Sequence, residues 1–387
     1  MDSKARNNNI DIIKGIAIIL MVYGHTFGVA RDFIYLFHMP VFIFVSGYCF
    51  NKAHGASLQQ AEGYFFSRVR RLLIPYMGFN IVYAILNNVF ISLNFYTDNG
   101  AFKQDVVFIQ KAAQTLMHRK GVRELVVDVY NVLTLKEIPQ MGSASWFLIV
   151  LFLVCVIHCF VEYGIRGLGS KVRVAVLCVL LAINLLVAFA ISKGFASEAP
   201  IADRHLQVFG VYSCYLMGVL TRSFVDTGML GKLLAKKWIV VCAGPVSFGG
   251  LLSLLPFGTL ELSKSQIVNP VFLVATTLLG IAMLASVAVD FENNFLGRWL
   301  TFIGKYTMSI LFLHILAFKL VSVGYCLAVG KPMYMVASWP VIFDAPEYVL
   351  IIYTIVGVAL PLLADAVIDR LKAIYKRQIL TDSNSGD

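Results

Sequence analysis

The chain has 387 residues, 59% of them apolar and 14% charged, with a mean hydropathy of +0.78. A soluble domain carries about 25% charged residues; with the apolar residues gathered into long blocks, the composition excludes a water-soluble globule and points to a multi-span membrane protein. The net charge of +10 is no nucleic-acid footprint, because no basic stretch is interleaved with aromatics, and excess Lys and Arg here mark cytoplasmic loops and anionic lipid.

The first apolar run, about 12–30, follows Lys4 and Arg6 and reaches Gly28-Val29-Ala30, which has the form of a signal peptide with its cleavage site. It also carries Lys14 and His25, and many further runs follow, so it is read as an uncleaved first span. Lys14 and His25 are eleven residues apart, which at about 100° per residue puts both on one helical face, separated by roughly 16 Å along the axis. Lys14 either snorkels to the cytoplasmic boundary or faces the interior. His25 lies deeper, where an ionisable group serves a cavity or bonds a neighbouring helix.

The second run, about 33–50, holds His38 at a depth similar to that of His25. Two such imidazoles could form a general acid/base pair, or one could orient the other. Met39-Pro40 follows, and the proline is expected to loosen the backbone ladder of a helix that lines a cavity. Ser46-Gly47-Tyr48 marks a close-packed or irregular end.

FFSRVRRLLIPY precedes the third run, about 74–93, and places Arg68 and Arg71 three residues apart on one face. Two guanidinia there suit a phosphorylated ligand through bidentate contacts; the alternative is an ordinary positive-inside flank. The connection 94–143 includes AFKQDVVFIQKAAQTLMHRK, whose helical periodicity reads as a segment lying along the membrane surface.

Seven more runs follow at about 144–163, 172–192, 205–221, 237–256, 267–289, 302–323 and 347–368. Trp146 opens the first of these and reads as an interfacial belt residue. His314 lies inside 302–323, with Lys305 at its start. The expected fold is therefore all-α, a polytopic membrane helix bundle of about ten transmembrane helices. Each inner connection is basic, so both termini are expected in the cytoplasm. The connection 94–143, with six basic residues on the outer side, is the exception. Residues 1–375 form one transmembrane domain, and 376–387 a cytoplasmic tail expected to be disordered.

The seven cysteines all lie in apolar runs without a C-x-x-C pair, so they read as small hydrophobes and no metal is expected. G-x-S-x-G, Walker A and H-E-x-x-H signatures are missing. A transporter or flippase for a glycan or lipid intermediate would also need buried polar groups, but commonly with internal repeats and mid-membrane acids. Asp11, Asp32, Asp203, Asp290 and Glu347 all fall at span ends.

Together these pieces resemble the acyltransferase-3 family of integral membrane acyltransferases. The matching residues are Lys14-Gly15, His25, the FHMPVFIFVSGY block (Phe37 to Tyr48), the Arg68/Arg71 pair before LLIP, the W-F-L element at Trp146, and IGKYTMSILFLH (Ile303 to His314). Lys14 stands where the family more commonly has Arg, which resembles the branch of fucose 4-O-acetylases. The resemblance covers nearly the whole chain. It implies transfer of an acetyl or similar short acyl group from cytoplasmic acetyl-CoA to a carbohydrate hydroxyl, in the bacterial inner membrane. His25, His38 and Lys14 are then the expected catalytic residues. Arg68, Arg71 and Lys14 would hold the CoA phosphates, and Trp146, Ser46 and His314 would contact substrate. The implied partners are acyl-CoA, a carbohydrate acceptor and the lipid bilayer, with no nucleic acid.

Overall fold

A computed structural model describes residues 8–102, 116–194, 203–228, 230–342 and 344–384. Among these residues there is no β-strand, and helices follow one another along the whole chain. Most of the surface segment expected at 101–120 lies outside the described residues.

Among the described residues, seven helices are long and apolar enough to cross a membrane: Gln140–Ile165, Ser170–Ser192, Gln207–Asp226, Lys237–Phe257, Pro270–Phe291, Thr307–Val329 and Glu347–Tyr375. They coincide with the last seven runs expected from sequence, and they make the chain an integral multi-pass membrane protein. The last of them belongs to a helix that continues through Asn384. In Ser170–Ser192 and Lys237–Phe257 only 17% of the apolar window is buried, against 61% in Gln140–Ile165. The first two therefore present side chains such as Val179, Leu186, Val246 and Phe248 outward, as lipid-facing helices do.

The first three runs are built from shorter pieces. Helix α1 (Asn8–Gly24) has 17 residues, a rise of about 26 Å, and Phe27 at φ 61° then turns the chain left-handed. The second run divides into α2 (Arg31–Tyr35) and α3 (His38–Tyr48). Pro40 sits in the first turn of α3, where its missing N–H costs no helical hydrogen bond, so it does not loosen the ladder as expected. The third run follows α4 (Leu58–Arg68) and divides at Leu86 into α5 (Ile74–Ile85) and α6 (Asn87–Ser92). One further helix, α7 (Val122–Leu133), precedes the long helices α8 (Trp146–Ile165), α9 (Ser170–Ser192) and α10 (Asp203–Asp226). Then come α11 (Lys237–Leu254), α12 (Pro270–Phe291), α13 (Phe295–Lys305), α14 (Thr307–Val329) and α15 (Glu347–Asn384).

Two reciprocal glycine crossings bring α1 and α3 into the centre of the bundle. A Cβ on Gly15 of α1 would collide with the Leu300 carbonyl oxygen of α13, and one on Gly304 would collide with that of Asp11. Gly47 of α3 meets the Tyr215 carbonyl of α10 in the same way, and Gly218 meets that of Phe44. With no hydrophobic force separating helix from lipid, such backbone-to-backbone approach is what holds membrane helices together. The core that results runs through Ile12, Ala17, Val41, Ile43, Leu148, Tyr215, Ile310 and Phe312, all fully or almost fully buried. All seven cysteines are free thiols.

Gly15→Ala and Gly47→Ala should each lower stability by about 1–3 kcal/mol through overpacking, read as a lower thermal-unfolding midpoint in detergent. Gly63→Ala and Gly78→Ala, where a Cβ meets open space, should not. Equal midpoints for all four variants would show that the crossings carry no special strain.

Candidate active site

His25 follows the last residue of α1, and its backbone N–H still bonds the Met21 and Val22 carbonyls. Its side-chain Nδ1 lies 2.9 Å from the Met21 carbonyl oxygen. A carbonyl can only accept, so Nδ1 carries the hydrogen, and in the neutral ring Nε2 keeps a lone pair. The same logic holds for His38, whose Nδ1 is 2.9 Å from Ile34 O, and for His314, whose Nδ1 is 2.9 Å from both Ile310 O and Leu311 O. In each case the residue four positions earlier supplies the acceptor, so a local backbone carbonyl sets the tautomer.

His25 and His38 line one small chamber of about 80 Å³, together with Trp146 and the segment Leu260–Ser263. That segment is held by the Gln207 side-chain amide, which donates to the Ser263 carbonyl, and by the Glu261–Gln266 bridge. Within the chamber His38 packs its ring on Tyr35, 4.9 Å between centroids. The ring contact of His25 is with His314, at 5.2 Å. His314 is completely buried behind it, and its Nε2 has no hydrogen-bond partner.

A second cavity of about 370 Å³ lies at the other end of α1 and takes Lys14, Ser46, His54, Arg68 and Arg71 into its lining. Arg68 reaches it from the last residue of α4 and Arg71 from the π-helical turn, Val69–Leu73, which links α4 to α5. Pro75 explains that turn: it has no N–H to give to the Arg71 carbonyl, so the α ladder cannot continue through it. Arg70 of the same turn is exposed. The Arg68 guanidinium lies 4.7 Å from the centre of the Tyr64 ring, and its Nε is buried without a hydrogen-bond partner. Lys14 is 3.3 Å from Asp11, an almost wholly buried carboxylate one turn earlier. Ser46 donates to the Phe42 carbonyl, 3.0 Å away.

The two spaces share a wall. Ile18, Phe42, Phe147 and Leu311 line both of them. Along α1 the order is Lys14, Ile18, Met21, His25, one stripe at helical spacing. The cation and the imidazole therefore share a face, as their eleven-residue separation predicts.

Three buried polar groups carry no motif and escaped the sequence reading. Glu162 on α8 receives two bonds from Arg173 of α9, at 2.9 and 2.5 Å, and lies 3.4 Å from His158. His158 also meets the Tyr212 hydroxyl at 3.2 Å and packs edge-on against Phe50, which lines the cationic cavity. The available signal was a His and a Glu four residues apart inside an apolar run. Lys319, fully buried in α14, donates to the Val336 and Ser338 carbonyls at 3.1 and 2.6 Å, and it ties down the segment before α15.

These features agree with the comparison with known families. The sequence profile of the acyltransferase-3 family, described as an acyltransferase domain, matches residues 7–365. Comparisons with curated proteins and with solved structures find no match. From α1 to within α15, then, this chain belongs to the acyltransferase-3 family, and it is a membrane acyltransferase.

Proposed function

We propose that the protein moves an acetyl or similar short acyl group from cytoplasmic acyl-CoA to a hydroxyl of a cell-surface or exported carbohydrate, in the bacterial inner membrane. The observation that carries this reading is the α1 stripe, with a cationic cavity at the Lys14 end and an imidazole chamber at the His25 end. The basic inner connections support a cytoplasmic side for the cationic cavity and for both termini. Phosphates of CoA fit there, since Arg68 Nε is a buried donor without an acceptor, and guanidinia bind phosphate through paired hydrogen bonds. Lys14, partly neutralised by Asp11, orients the donor.

From that cavity the pantetheine arm carries the thioester along the stripe toward His25. His25 Nε2 takes the proton of the acceptor hydroxyl as its oxygen attacks the thioester carbonyl. The C–O ester bond forms and the C–S bond breaks. The proton held by the imidazolium then passes to the departing CoA thiolate, leaving free CoA, the ester and a neutral His25. His38, in the same chamber, orients the acceptor with Trp146. His314 backs the His25 ring, and Ser46 lines the donor's path.

Two measurements test this with the purified protein in liposomes, labelled acetyl-CoA and the carbohydrate fraction of the cell envelope. His25→Ala should lower acetyl transfer by about 10²- to 10⁴-fold, the usual contribution of a positioned base, and leave acetyl-CoA affinity near that of the wild type. Transfer undiminished in that variant removes the catalytic role. Arg68→Ala should raise the KM for acetyl-CoA about 10- to 100-fold, the loss of one charge-assisted contact, while label incorporation at saturating donor is largely kept. An unchanged KM removes the phosphate clamp.

A further inference from the structure

A third pocket, of about 150 Å³ and open on one side, takes Tyr83, Asn87, Lys120, Asp128, Glu137 and Gln140 into its lining. Neither the α1 stripe nor the mechanism above uses it. Two links place it beside the His25 chamber. Gln140 opens the 3₁₀ stretch Gln140–Ser145, whose Ala144 lines the chamber as Trp146 does. At about 2 Å per residue, Gln140 and Ala144 are roughly 8 Å apart along that stretch. The Tyr83 hydroxyl donates to the Phe312 carbonyl at 2.6 Å, and the preceding residue, Leu311, also lines the chamber.

The walls of the pocket are fixed by hydrogen bonds. Asn87 donates to the His118 carbonyl at 3.1 Å, and Asn88 exchanges two bonds of 2.8 Å with the backbone of Lys120. The Lys120 ammonium then reaches Asp128 of α7 at 2.6 Å. On the other side, the Tyr96 hydroxyl accepts the Met141 N–H at 3.1 Å. Bonding capacity nevertheless remains inside. Asp128 and Glu137 each accept one side-chain bond, from Lys120 and Asn131, whereas a carboxylate can accept about four. The Gln140 amide has no hydrogen-bond partner among the described residues.

This combination suits a sugar ring. Each hydroxyl can donate to a carboxylate and accept from an amide N–H, while Tyr83, Tyr96 and Ile138 offer apolar surface to the C–H face. The lining holds two carboxylates and one ammonium, and that ammonium is already paired with Asp128. An anionic group would meet the Glu137 charge with no free cation to offset it.

We propose that this pocket is a subsite for an uncharged sugar residue of the acceptor, next to the sugar that receives the acyl group in the chamber. The inference rests on the transfer reading above. It adds where the acceptor is held, and that the preferred acceptor has more than one sugar unit.

The test gives the protein in liposomes labelled acetyl-CoA and envelope carbohydrate, partially hydrolysed and separated into monosaccharides, uncharged oligosaccharides and acidic oligosaccharides. The wild type should use uncharged oligosaccharides with a KM at least about 10-fold below that for monosaccharides, the worth of two or more hydrogen bonds. Gln140→Ala should raise the oligosaccharide KM about 3- to 10-fold, and Glu137→Gln about 10-fold or more, since a charge-assisted bond is lost. Neither variant should change the KM for acetyl-CoA or the transfer to monosaccharides, both of which general misfolding would impair. An oligosaccharide KM unchanged in both variants overturns the subsite. So does a wild type that uses monosaccharides equally well, or acidic oligosaccharides alone. If no carbohydrate fraction takes up label, the transfer reading itself fails and the subsite falls with it; transfer indifferent to both substitutions refutes the subsite alone.

Discussion

A helix with a lysine near one end and a histidine at the other is stable in a membrane only if neither is left facing hydrocarbon. In this bundle that condition is met by backbone contact. Gly15 and Gly304 let α1 and α13 approach until a Cβ has no room, and Gly47 and Gly218 do the same for α3 and α10. Close approach excludes lipid from the α1 stripe and wraps it in α3, α8 and α14, the three helices that share the wall between the two cavities with Ile18. The polar seam and the small residues beside it are thus two sides of one requirement, since every polar group in hydrocarbon needs a protein partner or a cavity.

The cytoplasmic end answers to a different constraint. Pro75 breaks the α ladder, and the chain takes up the break as a π turn rather than a kink into a loop. Such turns recur at functional sites because the extra residue re-aims side chains without ending the helix. Here Arg68 and Arg71 line the cavity and Arg70 does not, although Arg70 and Arg71 are both exposed. Three basic residues in a row of four could equally have served as a lipid-facing flank. The π turn, and the buried, unpartnered Nε of Arg68, are what single out two of them.

Much of this was legible in the sequence, and the limits have physical causes. Long apolar runs gave the seven full-length helices, because length and hydropathy alone settle a lipid-spanning helix. The first three runs read as spans of the same kind, but the breaks at Phe27, Phe37 and Leu86 are turns made by ordinary apolar residues, which leave no mark in a hydropathy profile. Lys14, Arg68, Arg71, His25 and His38 stood out because charge is conspicuous against an apolar background. Glu162 did not, since it sits near the end of its run, and its partner Arg173 lies on the next helix, eleven residues on. The ring contact of His25 with His314 joins residues almost three hundred positions apart. Periodicity reaches only neighbours on one helix, whereas the pairing is decided by how α14 docks on α1.

The three central histidines show how little separates a reacting group from a structural one. Each gives its Nδ1 hydrogen to the carbonyl four residues earlier in the chain, so all three present the same tautomer with a lone pair on Nε2. Chemistry at the ring therefore cannot distinguish them; access does. His314 is sealed, with its Nε2 facing protein, and its ring supports that of His25. His38 and His25 both reach the chamber, but only His25 sits on the stripe that leads back past Ile18 to Lys14. In the proposed mechanism a donor delivered along α1 meets the His25 ring first. An acceptor arriving between His38 and Trp146 can then meet the same thioester from the other side. Position on the Lys14 face, set by eleven residues of α-helical spacing, separates His25 from its two neighbours of identical chemistry.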